Sequence, residues 1–276
     1  MPSISSDLRR AALSTRKLLL ARLGREVRFS HFGEEEVIAR LLVAHPPAER
    51  FCVDFGAGDG VEGSNTLGLF RAGWQGLAVE AEPRRFAFLS RVLASSEGVG
   101  LARCGVTPVN VVPLLRAYGI PTEFGFLDLD IDGYDYFVLD ALLADFRPTL
   151  ICVEINESFP PPLRFRVKWD PKWSYAGDHL HGFSIGALGE LAHQHGYAIV
   201  DLFYNNAFLV PAERAGGAAL TPEEAYQRGY LGRADRLERL PWNAELEPMQ
   251  RLSPEEASLF FAERHPNRGD TYELTW

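Results

Sequence analysis

Between residues 51 and 210 short β-rich runs alternate with helical stretches, and this alternation constrains the fold more than any other feature of the chain. It is the pattern of a mostly parallel sheet covered by helices on both faces, because parallel neighbours must be joined by long crossovers. The spacing predicts strands over 51–55, 76–80, 99–104, 124–130, 149–155, 198–203 and 207–210. Helices are predicted over 64–72, 83–94, 108–118, 134–144 and 185–195. Only Tyr204-Asn205-Asn206 separates the last two strands, too few residues for a crossover, so an antiparallel hairpin should close the sheet.

The first 28 residues carry seven basic side chains (Arg9, Arg10, Arg16, Lys17, Arg22, Arg25 and Arg28) against Asp7 and Glu26, while the whole chain of 276 residues has a net charge of −9. Leu8, Ala12, Leu19 and Leu23 fall at helical spacing, so 1–28 reads as a basic amphipathic helix. It would fold against its own domain or a dimer mate, with a transit peptide or a membrane-surface contact as alternatives. The net acidity argues against a broad nucleic-acid-binding face. No apolar stretch is long enough to span a bilayer. Cys52, Cys104 and Cys152 stand singly, as expected of reduced core residues in the cytoplasm. After Pro211 two N-cap patterns, Thr221-Pro222-Glu223-Glu224 and Ser253-Pro254-Glu255-Glu256, mark helix starts. The expected organisation is therefore the N-terminal helix, a ligand-binding α/β domain over 29–211, and a helical appendage over 212–276.

Val53-Asp54-Phe55-Gly56-Ala57-Gly58-Asp59-Gly60 ends the first strand and leads toward a helix, placing glycines where backbone turns sharply against a ligand. Position 61 is Val61, so the dinucleotide fingerprint is broken, and no Walker-type loop is present. Glu80, 26 residues after Asp54, ends the second strand, where a carboxylate accepts hydrogen bonds from both ribose hydroxyls of a nucleoside. Acids beside the loop, Asp54 and Asp59, would repel a pyrophosphate but suit a ligand with a positive charge. A plain strand-to-helix turn is the bland alternative.

In these residues the sequence resembles the class I S-adenosylmethionine-dependent methyltransferases, and more narrowly the FkbM-type enzymes. Further stretches carry the resemblance: Phe29-Ser30-His31-Phe32-Gly33-Glu34, Ser64-Asn65-Thr66, Gly73-Trp74-Gln75-Gly76, Phe126-Leu127-Asp128-Leu129-Asp130-Ile131-Asp132-Gly133-Tyr134-Asp135, Val153-Glu154-Ile155-Asn156 and Asn206-Ala207-Phe208-Leu209-Val210. The resemblance implies a Rossmann-like fold of seven strands with the terminal hairpin. It also implies a cofactor site at Asp54, Gly56, Ala57, Gly58, Gly60, Glu80 and Ala81, with Asn65, Thr66, Asp128 and Ser30. His31 stands where the family often has glutamine, and 157–182 is individual to this chain.

Asp128, Asp130 and Asp132 should share one side of the fourth strand by alternation, close to Glu154, Asn156 and Glu157 at the end of the fifth, where ligands bind in such a sheet. Like charges so crowded call for protonation, a ligand or a divalent cation, and Mg²⁺ or Mn²⁺ suits carboxylate and amide oxygens. The resemblance to small-molecule O-methyltransferases implies Asp130, Glu154 and Asn156 as metal ligands, and Asp132 as proton acceptor. The competing reading makes Asp132-Gly133 a turn and Asp135 a helix cap. His179 and His181 are further candidates for general base or extra ligand. His193 and His195 read as helix-end residues. Trp169, Trp173 and Tyr175, interleaved with Arg164, Arg166, Lys168 and Lys172 in 160–175, suit stacking on a sugar or aromatic acceptor; pinning the loop to the core is the alternative. The expected activity is methyl transfer to a hydroxyl of a sugar-containing small molecule with metal assistance. The alternatives are metal-free methylation of nitrogen or a carboxylate, or a non-enzymatic domain that binds a glycan or partner.

Overall fold

The computed structural model describes residues 4–173 and 175–276. Nine strands form in chain order: β1 (Phe51–Phe55), β2 (Gln75–Val79), β3 (Val99–Ala102), β4 (Glu123–Leu129), β5 (Arg147–Glu154), β6 (Arg164–Val167), β7 (Tyr197–Phe203), β8 (Asn206–Pro211) and β9 (Tyr272–Thr275). Seven of them make one sheet in the order β3-β2-β1-β4-β5-β8-β7. Its first five strands run parallel, while β8 pairs antiparallel with both β5 and β7. The predicted hairpin is therefore present, with β8 inserted between β5 and β7.

Side chains alternate along these strands as a doubly covered sheet requires. Val53, Phe55, Leu127, Leu129, Ile151 and Val153 point into one apolar layer, and Cys52, Phe126 and Cys152 into the other. Five helices, α3 (Leu67–Arg71), α4 (Pro83–Val92), α5 (Val111–Ala117), α6 (Asp135–Leu143) and α7 (Ile185–Gln194), form the crossovers. α7 begins at Ser184, whose Oγ accepts from the Ala187 N–H at 3.3 Å, and ends near His195, whose ring lies 2.7 Å from Asp140.

The two preceding helices, α1 (Ile4–Arg22) and α2 (Glu34–Ala44), pack on this body. α1 does not dock by Leu19 and Leu23, although Leu18 packs on the apolar layer beneath. Leu19 and Leu23 are exposed, and the face turned inward carries Arg10, Ser14, Lys17 and Leu18. The buried Ser14 hydroxyl donates to Asp59 at 2.6 Å, and Lys17 pairs with Glu62. The helix rotation thus suits contacts with Asp59 and Glu62 together with Leu18 packing, not the Leu19 and Leu23 face.

The chain after Pro211 does more than append helices. Both predicted capping boxes form, at Thr221/Glu224 and Ser253/Glu256. However, the tail also supplies β9, which pairs antiparallel with β6 from the 160–175 insert, a pairing that sequence reading missed. A third apolar cluster joins the two segments: Phe159, Leu163, Phe165, Val167 and Leu180 against Leu246, Met249, Ala257 and Phe261. The Phe159 and Phe165 rings stack at 3.9 Å, with Phe261 edge-on at 4.8 Å from Phe159. Trp173 packs against this cluster, as the loop-pinning alternative expected. No described helix is long and apolar enough to cross a membrane. Phe261→Ala should cost about 3–5 kcal/mol in urea unfolding, because it empties the centre of the cluster that ties insert to tail.

Candidate functional site

The glycine loop is shaped by close approach. Gly56 and Ala57 donate their N–H groups to the Val79 carbonyl at 3.0 Å, bending the chain away from β1. Gly56 has φ 91°, and a Cβ there would lie 1.7 Å from the Asp130 carbonyl oxygen, so the loop can close on the end of β4 only without a side chain. Gly58 (φ 58°) donates its N–H to Glu80 Oε2 at 2.8 Å, and Glu82 N–H reaches Glu80 Oε1 at 2.6 Å. Two backbone donors thus orient the Glu80 carboxylate while leaving it lone pairs for ribose hydroxyls. Gly60 does something else: a Cβ there would lie 2.6 Å from Leu89 Cδ1, so it permits α4 to pack rather than facing the cavity.

The loop borders a cavity of about 660 Å³ at the carboxyl edge of the sheet. Of the predicted cofactor residues, Asp54, Gly56, Ala57, Gly58, Asn65, Glu80, Ala81 and Asp128 line it. Thr66 and Ser30 do not. Thr66 Oγ1 donates to Asp54 at 2.5 Å from behind, and Ser30 is tied to Glu35 while its neighbours His31, Phe32 and Glu34 line the wall. Asp59 also turns away, accepting from Val61 and Glu62 N–H at 2.9 Å each as well as from Ser14, so it adds no charge to the cavity lining.

Asp54 and Asp128 sit side by side in the β1–β4 register. Burial, with the Glu80 charge adding to it, pushes the Asp54 carboxyl up to about 7; burial and Asp54 push Asp128 well above the ordinary carboxylate range. Asn65 Nδ2 donates to Asp128 at 3.1 Å, but Asn65 Oδ1 is buried with no partner among the described residues. An ammonium group arriving there would satisfy that oxygen and the acids beside it. The donor and acceptor set therefore fits an S-adenosylmethionine molecule: Glu80 for ribose, the open side of Gly58 for close backbone approach, and Asn65 with Asp54 for the amino group.

Beyond the loop, Asp130, Asp132 and Glu154 bring one carboxylate oxygen each within 4.8 Å of one another. The route by which they meet differs from simple alternation. β4 stops at Leu129, and Asp132 reaches the cluster through a left-handed residue (φ 55°) in a turn. Asp135 holds that turn by accepting from Ile131 and Gly133 N–H at 2.9 Å each, so Asp132-Gly133 is a turn that coexists with the cluster, whereas Asp135 is not the helix cap: it is the first residue of α6, after Tyr134 at the N-cap position. Burial and the neighbouring Asp132 and Asp135 raise Asp130 to about 7, and burial with Asp130 raises Glu154 well above its usual range. Asn205 Nδ2 fixes Glu154 at 2.6 Å. Such a set of oxygens suits Mg²⁺ or Mn²⁺.

Asn156 is not part of it. Its buried amide donates to the carbonyls of His179 and His181 at 2.8 and 3.0 Å, pinning the 178–182 loop instead of facing the acids. That loop separates the two histidines. His181 lines the cavity, with Nδ1 unpartnered among the described residues, and burial lowers it to about 4, so it is neutral. His179 points toward the tail, 3.7 Å from Glu245, outside the lining.

Glu157, expected at the crevice with Glu154, does line it, whereas several other lining residues went unnoticed as site residues: Arg10 from α1, Arg85 from α4, Glu34, and Leu240 and Trp242 from the tail. No local pattern marks them, since each arrives by long-range packing. Asn205-Asn206 had a signal, a polar pair at the tip of an apolar hairpin. Asn206 donates to Glu34 at 3.0 Å and thereby joins the N-terminal motif to the hairpin.

No known family signature matches the chain, and no curated protein sequence does so either. Among solved structures it is similar to a TehB-like SAM-dependent methyltransferase from Corynebacterium glutamicum (17% identity, 75% of this chain and 97% of that one, TM-score 0.40). A second is a S-adenosylmethionine-dependent methyltransferase from Clostridium acetobutylicum (9%, 74% and 98%, 0.43). A third is an O-methyltransferase from Bacillus cereus in complex with SAH (15%, 57% and 71%, 0.38). The functional reading therefore rests on the chain's own residues.

Acids whose folded pKa is raised bind more protons folded than unfolded, so the stability they permit is greatest at low pH and falls as pH rises toward their folded values. Between pH 4 and 7 the ligand-free protein should lose stability through Asp54 and Asp130, seen as a melting temperature lower at pH 7.5 than at pH 5. Glu80→Ala should weaken S-adenosylhomocysteine binding by at least tenfold in calorimetry, since two ribose hydrogen bonds to a charged group go with it.

Proposed function

We propose that this chain is a class I methyltransferase of FkbM type that moves the methyl group of S-adenosylmethionine to a hydroxyl of a sugar-containing small molecule. The observation that carries the reading is the single cavity in which an oriented ribose-binding carboxylate, a tight glycine loop and a three-carboxylate cluster face one another. Asp130 and Glu154 would hold the divalent cation, with Asn205 fixing Glu154. The ion, when bound, lowers the pKa of an acceptor hydroxyl.

Asp132 is then the group placed to take the hydroxyl proton. The acceptor oxygen forms a bond to the methyl carbon as the carbon–sulfur bond breaks, its electron pair staying on sulfur as the neutral thioether. The loop and Glu80 contribute chiefly by alignment, holding oxygen and methyl in near-attack geometry. A second arrangement is favoured by the mutual closeness of all three acids and the free Nδ1 of His181: Asp132 as third ligand and His181 as base.

Transfer of a labelled methyl group to a panel of glycosylated small molecules tests the reading, and S-adenosylhomocysteine failing to bind would end it. With an acceptor in hand, Asp132→Asn should lower kcat by roughly 10²–10⁴-fold with S-adenosylhomocysteine affinity kept. If His181→Ala gives that loss and Asp132→Asn instead abolishes Mn²⁺ binding, the second arrangement holds. Chelation should remove activity, and added Mn²⁺ should restore it.

A further inference from the structure

The acceptor end of the cavity has a chemistry of its own. Nine carboxyl side chains line the cavity against two arginines, Arg10 and Arg85. Both arginines act on Asp132, and Arg10 Nη1 lies 3.8 Å from the position of a Cβ on Gly58. They therefore offset charge where the cofactor loop meets the acid cluster. Glu157 lies buried in the same lining, near enough to act on Glu154 but outside the cluster of Asp130, Asp132 and Glu154.

Glu157 is fixed from the tail. Asn243 Nδ2 donates to its Oε1 at 2.6 Å and to Tyr230 Oη at 3.0 Å, while the Ser158 hydroxyl donates to Asn243 Oδ1 at 2.8 Å. Trp242, next in sequence to Asn243, lines the cavity together with Trp173 and Tyr175. Tyr175 meets the His181 ring edge-on at 5.5 Å and feels the charges of Asp132, Glu154 and Glu157. Two polar atoms here have no partner among the described residues: Nδ1 of His181, a residue only 9% exposed, and Nε1 of Trp173.

We infer that the acceptor is an aminated carbohydrate, its ammonium group held by Glu157 between the aromatic faces of Trp173, Tyr175 and Trp242. This rests on the methyl-transfer reading above. A carboxylate beside aromatic faces is selective for a cation, because ring quadrupole and charge attract the same group. A carbohydrate ring supplies what a bare amine lacks: an oxygen for the Trp173 N–H and a hydroxyl or N–H donor for the neutral His181 nitrogen. Uronates and sugar phosphates are disfavoured, since nine carboxyl side chains in the lining outnumber its two arginines, both of which already act on Asp132.

The test is calorimetry on the full chain saturated with S-adenosylhomocysteine, at pH 7.5, with three probes: kanamycin, fully N-acetylated kanamycin, and maltotriose. Kanamycin should bind at least tenfold more tightly than either neutral probe. Glu157→Gln should lower kanamycin affinity at least tenfold while leaving S-adenosylhomocysteine affinity unchanged, because Gln keeps an oxygen for Asn243. Equal affinities for the three probes, no binding of any, or kanamycin affinity indifferent to Glu157→Gln overturns the inference while the cofactor reading stands. Absence of S-adenosylhomocysteine binding overturns both. The acetylated probe makes the comparison on unmodified protein, so a poorly folded variant does not decide it.

Discussion

Carboxylates crowded at one edge of a parallel sheet dominate the physics of this protein. Asp54 and Asp128 are cross-strand neighbours, Asp130 and Glu154 meet at the next strand ends, and Asp132 is turned in beside them. Left alone, such a group costs stability, because desolvation and mutual repulsion both oppose ionisation. The raised carboxyls of Asp54 and Asp130 express that cost. A site built this way is destabilised when empty and relieved by cations, whether sulfonium, metal ion or ammonium.

The surroundings hold this edge in place without neutralising it. Hydrogen bonds from Thr66, Asn65, Asn205 and the N–H groups of Gly58, Ile131 and Gly133 orient the acids individually. Asn156 spends its amide on the backbone of the histidine loop, holding the segment in which His181, and not His179, enters the cavity. The tail closes the far side: β9 pairs with β6, a phenylalanine cluster welds the two, and Asn243 reaches in to Glu157.

Much of the α/β body was legible because its signals are local. Strand and helix periods, the three-residue hairpin, the glycines and the capping boxes all depend on near neighbours in sequence. The expected strand ends moved by at most two residues, as at β4, which stops at Leu129. Glu80 and the acids of the cluster were found because they terminate strands whose order follows from connectivity. What escaped was set by distant parts of the chain. The face of α1 that docks was misjudged because its apolar repeat is real but its contacts are to Asp59, Glu62 and, through Leu18, the apolar layer. β6 and β9, Trp242 and Glu157 carry no sign of their partners 70 to 110 residues away.

By itself, the sequence determined that a parallel sheet with a terminal hairpin would form, and that glycines and acids would gather at its carboxyl edge. Period-two and helical hydrophobic patterns, together with crossover handedness, leave few other arrangements. Only the tertiary structure decided which of those side chains face the cavity and which serve behind it. Ser30, Thr66, Gly60, Asn156 and His179 lie outside the lining; Arg10, Glu34, Glu157 and Trp242 lie within it. The reason is that a side chain's direction at a loop or helix surface follows from what it packs against, and that partner is chosen by the fold as a whole.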